Sequence, residues 1–299
     1  MKKSKKVTTR ILQSFLKTFF TNSLFQYFLM LRTSKNFKRK INTEKQLKKF
    51  SDNLEAINEY EYKITSQNNE DGIIDYIFSK IPNKKYFIEI GFGYYEFNSL
   101  NLIKKGWQGK LIDINTEESI ALRSNLNKYY PKSKVEVINT KVTKENINKL
   151  ALKKDLNKEI DFFSLDIDSN DYWILQFMDL SNVNVLCCEY NHWLGKDHRL
   201  TIAYDENFKF IDNGIWGASL LALTDLLSSK GFSLIAVESS GTNAFFINNQ
   251  LAKNFEILSP LKSFKSVGRF YNEETKKKIF NNIKNNSSKL IKIYKCLSL

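Results

Sequence analysis

Four polar clusters stand where short apolar runs end, and their residue types suit a ligand site. Glu89-Ile90-Gly91-Phe92-Gly93 places an acid ahead of a Gly-x-Gly turn, whose glycines let backbone approach a ligand closely. Asp113 follows Glu89 by 24 residues, the position from which an acid accepts hydrogen bonds from ribose hydroxyls. Asp166, Asp168, Asn170 and Asp171 crowd one hexapeptide. Carboxylates and an amide there can position a substrate, take a proton or hold a hard metal ion. The plainer alternative makes Asp168 or Asp171 the N-cap of a following helix, which accounts for one acid of the set. Glu189-Tyr190-Asn191-His192 is the fourth cluster. His192 is a candidate general base, and with Asp166, Asp168 and Glu189 it makes an oxygen and nitrogen set of the kind Mg2+ or Mn2+ uses.

These clusters need a scaffold that brings strand ends together. The apolar runs predict strands at 86–90, 110–114, 134–142, 160–167 and 184–190, with helices at 73–81, 98–105, 119–129, 144–152 and 218–230 between or beside them. Two final runs, 233–238 and 243–248, flank Ser239-Ser240-Gly241-Thr242 and predict a closing hairpin. The order implies an α/β fold: a Rossmann-like, mostly parallel sheet with an antiparallel C-terminal hairpin. In such sheets ligands bind outside the carboxyl ends of the strands, where all four clusters fall.

The kind of ligand follows from charge. A dinucleotide turn wants a third glycine at position 96, where this chain has Glu96, a carboxylate that would repel a pyrophosphate. S-adenosylmethionine carries a positive sulfonium and no phosphate, so acids beside the turn favour it over NAD. The rest of the chain divides by charge. Residues 1–50 carry 14 lysines and arginines against one acid, and residues 261–299 carry ten against two. With a net charge of +14 for 299 residues, the stretch between is net acidic. Three domains are expected: a basic amphipathic helical extension over 1–60, the Rossmann-like domain over 61–250, and a basic helical tail over 251–299. Apolar pairs at helical spacing through 11–31 predict an amphipathic helix, too polar to span a bilayer. It either docks on protein or lies on an anionic membrane surface through residues 1–40. Three cysteines, two of them adjacent in an apolar run, favour a reducing, cytoplasmic setting and buried, inert thiols at Cys187 and Cys188.

FIEIGFG, GWQGKLIDI, SLDIDSNDYW, CCEYN, GASLLAL and NAFFI, in this order, resemble the FkbM-like branch of class I S-adenosylmethionine-dependent methyltransferases over roughly residues 62–249. The resemblance implies that Glu89 and Asp113 hold the cofactor, and that Asp166, Asp168 and Asp171 stand where the family carries a D-x-E-G-x-E element. Glu is replaced by Asp twice and Gly by Ser169, and Tyr94 and Tyr95 occupy the glycine turn. It further implies O-methylation of a hydroxyl on a sugar, glycan or small metabolite; residues 1–40 add the expectation of a cytoplasmic protein peripheral to the inner face of the membrane. Nucleic acid is disfavoured as a partner because the ligand edge is acidic. Two other readings stand beside it: a catalytically silent scaffold docked by its amphipathic helix, and an RNA methyltransferase clamping phosphates with its basic ends.

Overall fold

The structure is a computed structural model that describes residues 39–40, 53–93, 96–152, 159–266 and 271–294. The amphipathic segment expected over 11–31, and Tyr94, Tyr95 and Cys296, lie outside the described residues. The strands are β1 (Arg39–Lys40), β2 (Tyr62–Lys63), β3 (Tyr86–Ile90), β4 (Gln108–Asp113), β5 (Val135–Asn139), β6 (Ile160–Leu165), β7 (Val183–Glu189), β8 (Leu200–Ile202), β9 (Phe232–Val237), β10 (Asn243–Asn248) and β11 (Leu290–Lys292). The α-helices are α1 (Glu70–Lys80), α2 (Leu100–Lys104), α3 (Thr116–Tyr129), α4 (Ile147–Leu152), α5 (Asp171–Phe177), α6 (Leu220–Ser229), α7 (Pro260–Ser263) and α8 (Glu273–Asn285).

Seven strands form one sheet in the order β5-β4-β3-β6-β7-β10-β9. The first five are parallel, and β10 runs antiparallel to both β7 and β9. This is the Rossmann order, with the last strand inserted inside the sheet rather than added at its edge. Every residue of β3 and β6 is buried, as a central parallel strand requires when helices cover both faces. Alternate side chains supply the two faces. Ile88, Ile90, Phe163 and Leu165 pack with α4, α5 and α6, whereas Phe87, Phe162 and Val185 pack with α1, α2 and α3.

Several boundaries differ from the sequence reading for local reasons. Gly109, expected in a turn, lies inside β4 because a Cβ there would meet the Phe87 backbone oxygen at 2.1 Å, so only glycine fits. Helix α3 starts three residues earlier than expected, where Asn115 accepts a hydrogen bond from the Glu118 N–H at 3.2 Å. The tail is not helical throughout. After α8 the chain turns at 287–289 and adds β11 to β8, with Leu290 opposite Ile202. Leu258, Phe264 and Ile293 join the main core, which fastens this tail to the sheet.

Candidate functional site

At the sheet's switch point, between β3 and β6, the strand order reverses and the connecting loops part. A cleft of about 770 Å³ opens there, walled by the carboxyl ends of β3, β4, β5 and β6. Glu89, Gly91, Gly93, Asp113, Asp166, Asp168 and Asn170 all line it. The structure therefore brings most of the sequence-derived residues to one place, although several do other work than expected.

Glu89 is buried, and its two oxygens are already engaged. One accepts from the Asn98 N–H at 2.9 Å; the other accepts from the Ser99 N–H at 2.8 Å and from the Ser99 hydroxyl. Glu89 thus ties the loop after the glycine turn back onto the sheet. Burial raises its pKa to about 7, and the donors from Ser99 and Asn98 oppose that rise. Gly91 has φ +76°, and a Cβ on it would stand 1.6 Å from the Asp166 carbonyl oxygen. Its bareness lets β3 and β6 close on each other, not backbone on a ligand. Gly93 has no such neighbour: its nearest contact would be the Glu96 carbonyl at 3.2 Å.

Asp113 ends β4 at the opposite wall. Its Oδ2 accepts from the Phe92 N–H at 3.1 Å and its Oδ1 from the Asn115 N–H at 2.6 Å. Each oxygen keeps a lone pair, since a carboxylate offers about four acceptor sites. Burial raises its pKa against those two donors. Ile114, 64% exposed, and Val142 add apolar wall beside it. Sequence reading assigned no role to either residue; an apolar side chain directly after the strand-ending acid was the available signal.

The acids after β6 split into two roles. Asp171 opens α5 and accepts from the Ile167 and Ser169 N–H groups, each at 2.9 Å, so it clasps the loop that presents its neighbours. Burial raises its pKa to about 6 despite those bonds. Asn170 reaches the cleft, but its amide is spent on Asp205: Nδ2 donates to the Asp205 carbonyl at 2.8 Å and Oδ1 accepts from the Asp205 N–H at 3.2 Å. Asp166 and Asp168 also line the cleft. Together with Glu189 at the end of β7, they bring one oxygen apiece within 4.8 Å of one another. Asp168 holds φ +55°, a left-handed conformation that Asp tolerates better than most residues. Glu189 Oε2 is enclosed, and the carboxyl faces those of Asp166 and Asp168. Burial first, then repulsion from its acidic neighbours, pushes Asp166 and Glu189 well above the carboxylate range; burial also raises Asp168. Three acids this close titrate as a unit.

Two expectations need correcting. Asn191 is fully buried away from the cleft, where Nδ2 donates to the Gly214 and Trp216 carbonyls at 3.0 and 2.8 Å and Oδ1 accepts from the Trp193 N–H at 2.9 Å. It shapes a turn and has nothing left for a substrate. His192 does not line the cleft either. It is buried beside Trp193, ring centroids 4.7 Å apart, and burial drops its pKa to about 3. Such an imidazole stays neutral and is a poor proton acceptor. Cys187 and Cys188 are buried, and burial pushes both thiols up, as expected of inert cysteines.

No family model matches this chain, and no curated protein does. Among solved structures it is similar to an S-adenosylmethionine-dependent methyltransferase from Clostridium acetobutylicum, at 10% identity over 60% of this chain and 89% of that one, with TM-score 0.40. The glycopeptide N-methyltransferase MtfA, complexed with S-adenosylmethionine, is similar at 10% identity over 61% and 95%, TM-score 0.39. The N-terminal domain of EvdMO1, in the presence of S-adenosylhomocysteine and D-fucose, is similar at 8% identity over 68% and 94%, TM-score 0.42. Likeness of this degree decides nothing about the reaction, which rests on the cleft itself.

Proposed function

We propose that the chain is an S-adenosylmethionine-dependent O-methyltransferase acting on a hydroxyl of a sugar, glycan or small metabolite. The observation that carries this reading is the sign of the cleft: Glu89, Glu96, Asp113, Glu118, Asp166, Asp168 and Glu206 line it, against Lys141 alone among the described residues. A dinucleotide's pyrophosphate would be repelled there, whereas a sulfonium and an ammonium group are welcome. The residues present fit that cofactor. Asp113 has free lone pairs for ribose hydroxyls, Ile114 and Val142 offer apolar wall to a base, and Glu89 fixes the loop that shapes the floor.

When bound, S-adenosylmethionine supplies a methyl group activated by the positive sulfur. The protein must orient an acceptor hydroxyl and take its proton. Asp166 and Asp168 stand at the cleft wall for both tasks, with Glu189 behind them. Burial and mutual repulsion raise all three carboxyls, so a proton taken by one of them is held more tightly than by an exposed carboxylate. The same three oxygens are half the donor set a hard divalent ion takes, so Mg2+ or Mn2+ is the second reading of the cluster. A thermal shift with Mg2+ that disappears in Asp168→Asn would favour the ion; insensitivity to Mg2+ and to EDTA favours the proton-accepting role.

The cofactor reading is tested by titrating S-adenosylhomocysteine and NADH separately into the full chain. Micromolar binding of the former and none of the latter is expected. The reverse order of affinities would overturn it. Attachment of residues 1–40 to an anionic membrane surface is a separate part of the proposal, checked by vesicle co-sedimentation with and without those residues.

A further inference from the structure

We infer that Asn243 recognises the acceptor: its amide oxygen takes a hydrogen bond from a hydroxyl other than the one methylated, and Glu70 fixes that orientation. This rests on the methyl-transfer reading of the cleft and narrows its substrate class to polyhydroxylated rings. Asn243 begins β10 and lines the cleft, yet the residue is only 3% exposed. Its Nδ2 donates to Glu70 Oε1 at 2.8 Å, whereas its Oδ1 is not enclosed and accepts from nothing among the described residues. The amide is not free to reverse. Glu70 offers it only acceptors, since the two carboxylate oxygens already accept from the Asn68 N–H at 2.8 Å and from Asn68 Nδ2 at 3.2 Å. With its NH2 bound there, Asn243 turns its oxygen the other way. An acceptor left unfilled on so buried a side chain favours a ligand that donates to it.

The sheet's register assigns that donor to the acceptor rather than to the cofactor. Ile112, Ile90, Leu165 and Cys188 pair in turn across β4, β3, β6 and β7. The next residues, Asp113, Gly91, Asp166 and Glu189, therefore form a row on one face, and Asn243 extends it by pairing with Glu189. At about 4.8 Å per strand, Asn243 stands about 19 Å from Asp113 and about 10 Å from Asp166. The eight bonds from a ribose hydroxyl to the cofactor's ammonium reach about 10 Å. A cofactor with its ribose at Asp113 thus ends near Asp166, short of Asn243, and leaves the β10 end of the cleft to the acceptor. Glu189, between them in the row, brings an oxygen to Asp166 and Asp168 and does not line the cleft. If Asp166 and Asn243 each hold a hydroxyl at about 2.8 Å, the two hydroxyls stand about 4 Å apart. Hydroxyls on one sugar ring meet that separation; a lone phenol or simple alcohol has no second donor to offer.

The test uses the full chain, tritium-labelled S-adenosylmethionine and a panel of methyl aldohexopyranosides with their monodeoxy derivatives, and it reads methyl transfer. Binding of S-adenosylhomocysteine is measured on every variant. The wild type should methylate at least one glycoside and prefer it at least about tenfold in kcat/KM over a derivative lacking one unmethylated hydroxyl. Asn243→Leu should shrink that preference to within about twofold of unity at unchanged S-adenosylhomocysteine affinity, because the hydroxyl then has no acceptor to meet. Exchanging the pair, as Glu70→Gln/Asn243→Asp, keeps their hydrogen bond and an oxygen towards the cleft, so the preference should survive. Glu70→Gln alone should weaken it, again without changing cofactor affinity. No transfer to any glycoside by a chain that binds S-adenosylhomocysteine would overturn the inference. So would a preference that Asn243→Leu leaves intact, or one lost in a folded exchange variant. A wild type that does not bind S-adenosylhomocysteine sinks the cofactor reading itself, and the inference with it.

Discussion

Replacing Gly91 by alanine should damage the protein far more than the same change at Gly93, although both glycines belong to one motif. At Gly91 the new Cβ would meet the Asp166 carbonyl oxygen at 1.6 Å and its carbon at 2.6 Å. An ordinary carbon–oxygen approach is about 3.3 Å, so β3 and the end of β6 would have to part by roughly 1.5 Å. Two hydrogen bonds hold the chain here: the Gly91 N–H donates to the Ile112 carbonyl of β4, and the Asp166 N–H donates across the β3–β6 junction to the Ile90 carbonyl, each at 3.0 Å. Overpacking costs about 1–3 kcal/mol, and holding a residue with a Cβ at positive φ adds about 1–2 kcal/mol. The expected loss is therefore roughly 3 kcal/mol, read as a fall in the urea midpoint with an unchanged slope. At Gly93 the closest approach is 3.2 Å and φ is not positive, so the loss should stay below about 1 kcal/mol. A Gly91→Ala protein as stable as the wild type would refute the assignment of this glycine to strand packing.

Two further outcomes follow from buried groups. Glu61 accepts from Ser239 N–H and Asn58 Nδ2, each at 2.7 Å, and burial together with Glu238 raises its pKa to about 8. A carboxyl with a raised folded pKa binds its proton more tightly when folded, so its ionisation subtracts stability as pH climbs from about 4.5 to 8. Glu61→Gln should flatten that decline and raise the melting temperature at pH 8, and a decline of unchanged steepness would count against it. His192 Nε2 is buried with no hydrogen-bond partner among the described residues, so His192→Leu should leave the proposed methyl transfer and its pH profile within about twofold of wild type, and should not destabilise. Loss of activity with the fold intact would return the base role to that residue.

Much of the scaffold was legible in the chain because its strands are short, apolar and bounded by turns. Residues 86–90 and the strand 243–248 appear in the structure with the bounds their pattern predicts. The sheet-closing order, with β10 between β7 and β9, was not, since a hairpin's sequence does not say which of its strands faces the sheet. Site residues were legible as a set and not by role. Strand ends delivered Glu89, Asp113, Asp166 and Asp168 to one cleft, yet which carboxylates are spent on backbone N–H groups depends on loop geometry. His192 shows the limit most plainly. An imidazole three residues past a strand-ending acid reads as a base until burial beside Trp193 drops its pKa to about 3.

The central claim is that this acidic cleft holds S-adenosylmethionine with Asp113 on its ribose. Calorimetric titration of S-adenosylhomocysteine into wild type and Asp113→Asn tests it most directly. Asparagine keeps an oxygen for one backbone donor while removing the charge and one acceptor. Micromolar binding by the wild type, weakened at least about tenfold or 1.4 kcal/mol in the variant, is the predicted result. A folded wild type that gives neither heat nor thermal shift with S-adenosylhomocysteine would contradict the account and leave the chain a Rossmann-like scaffold.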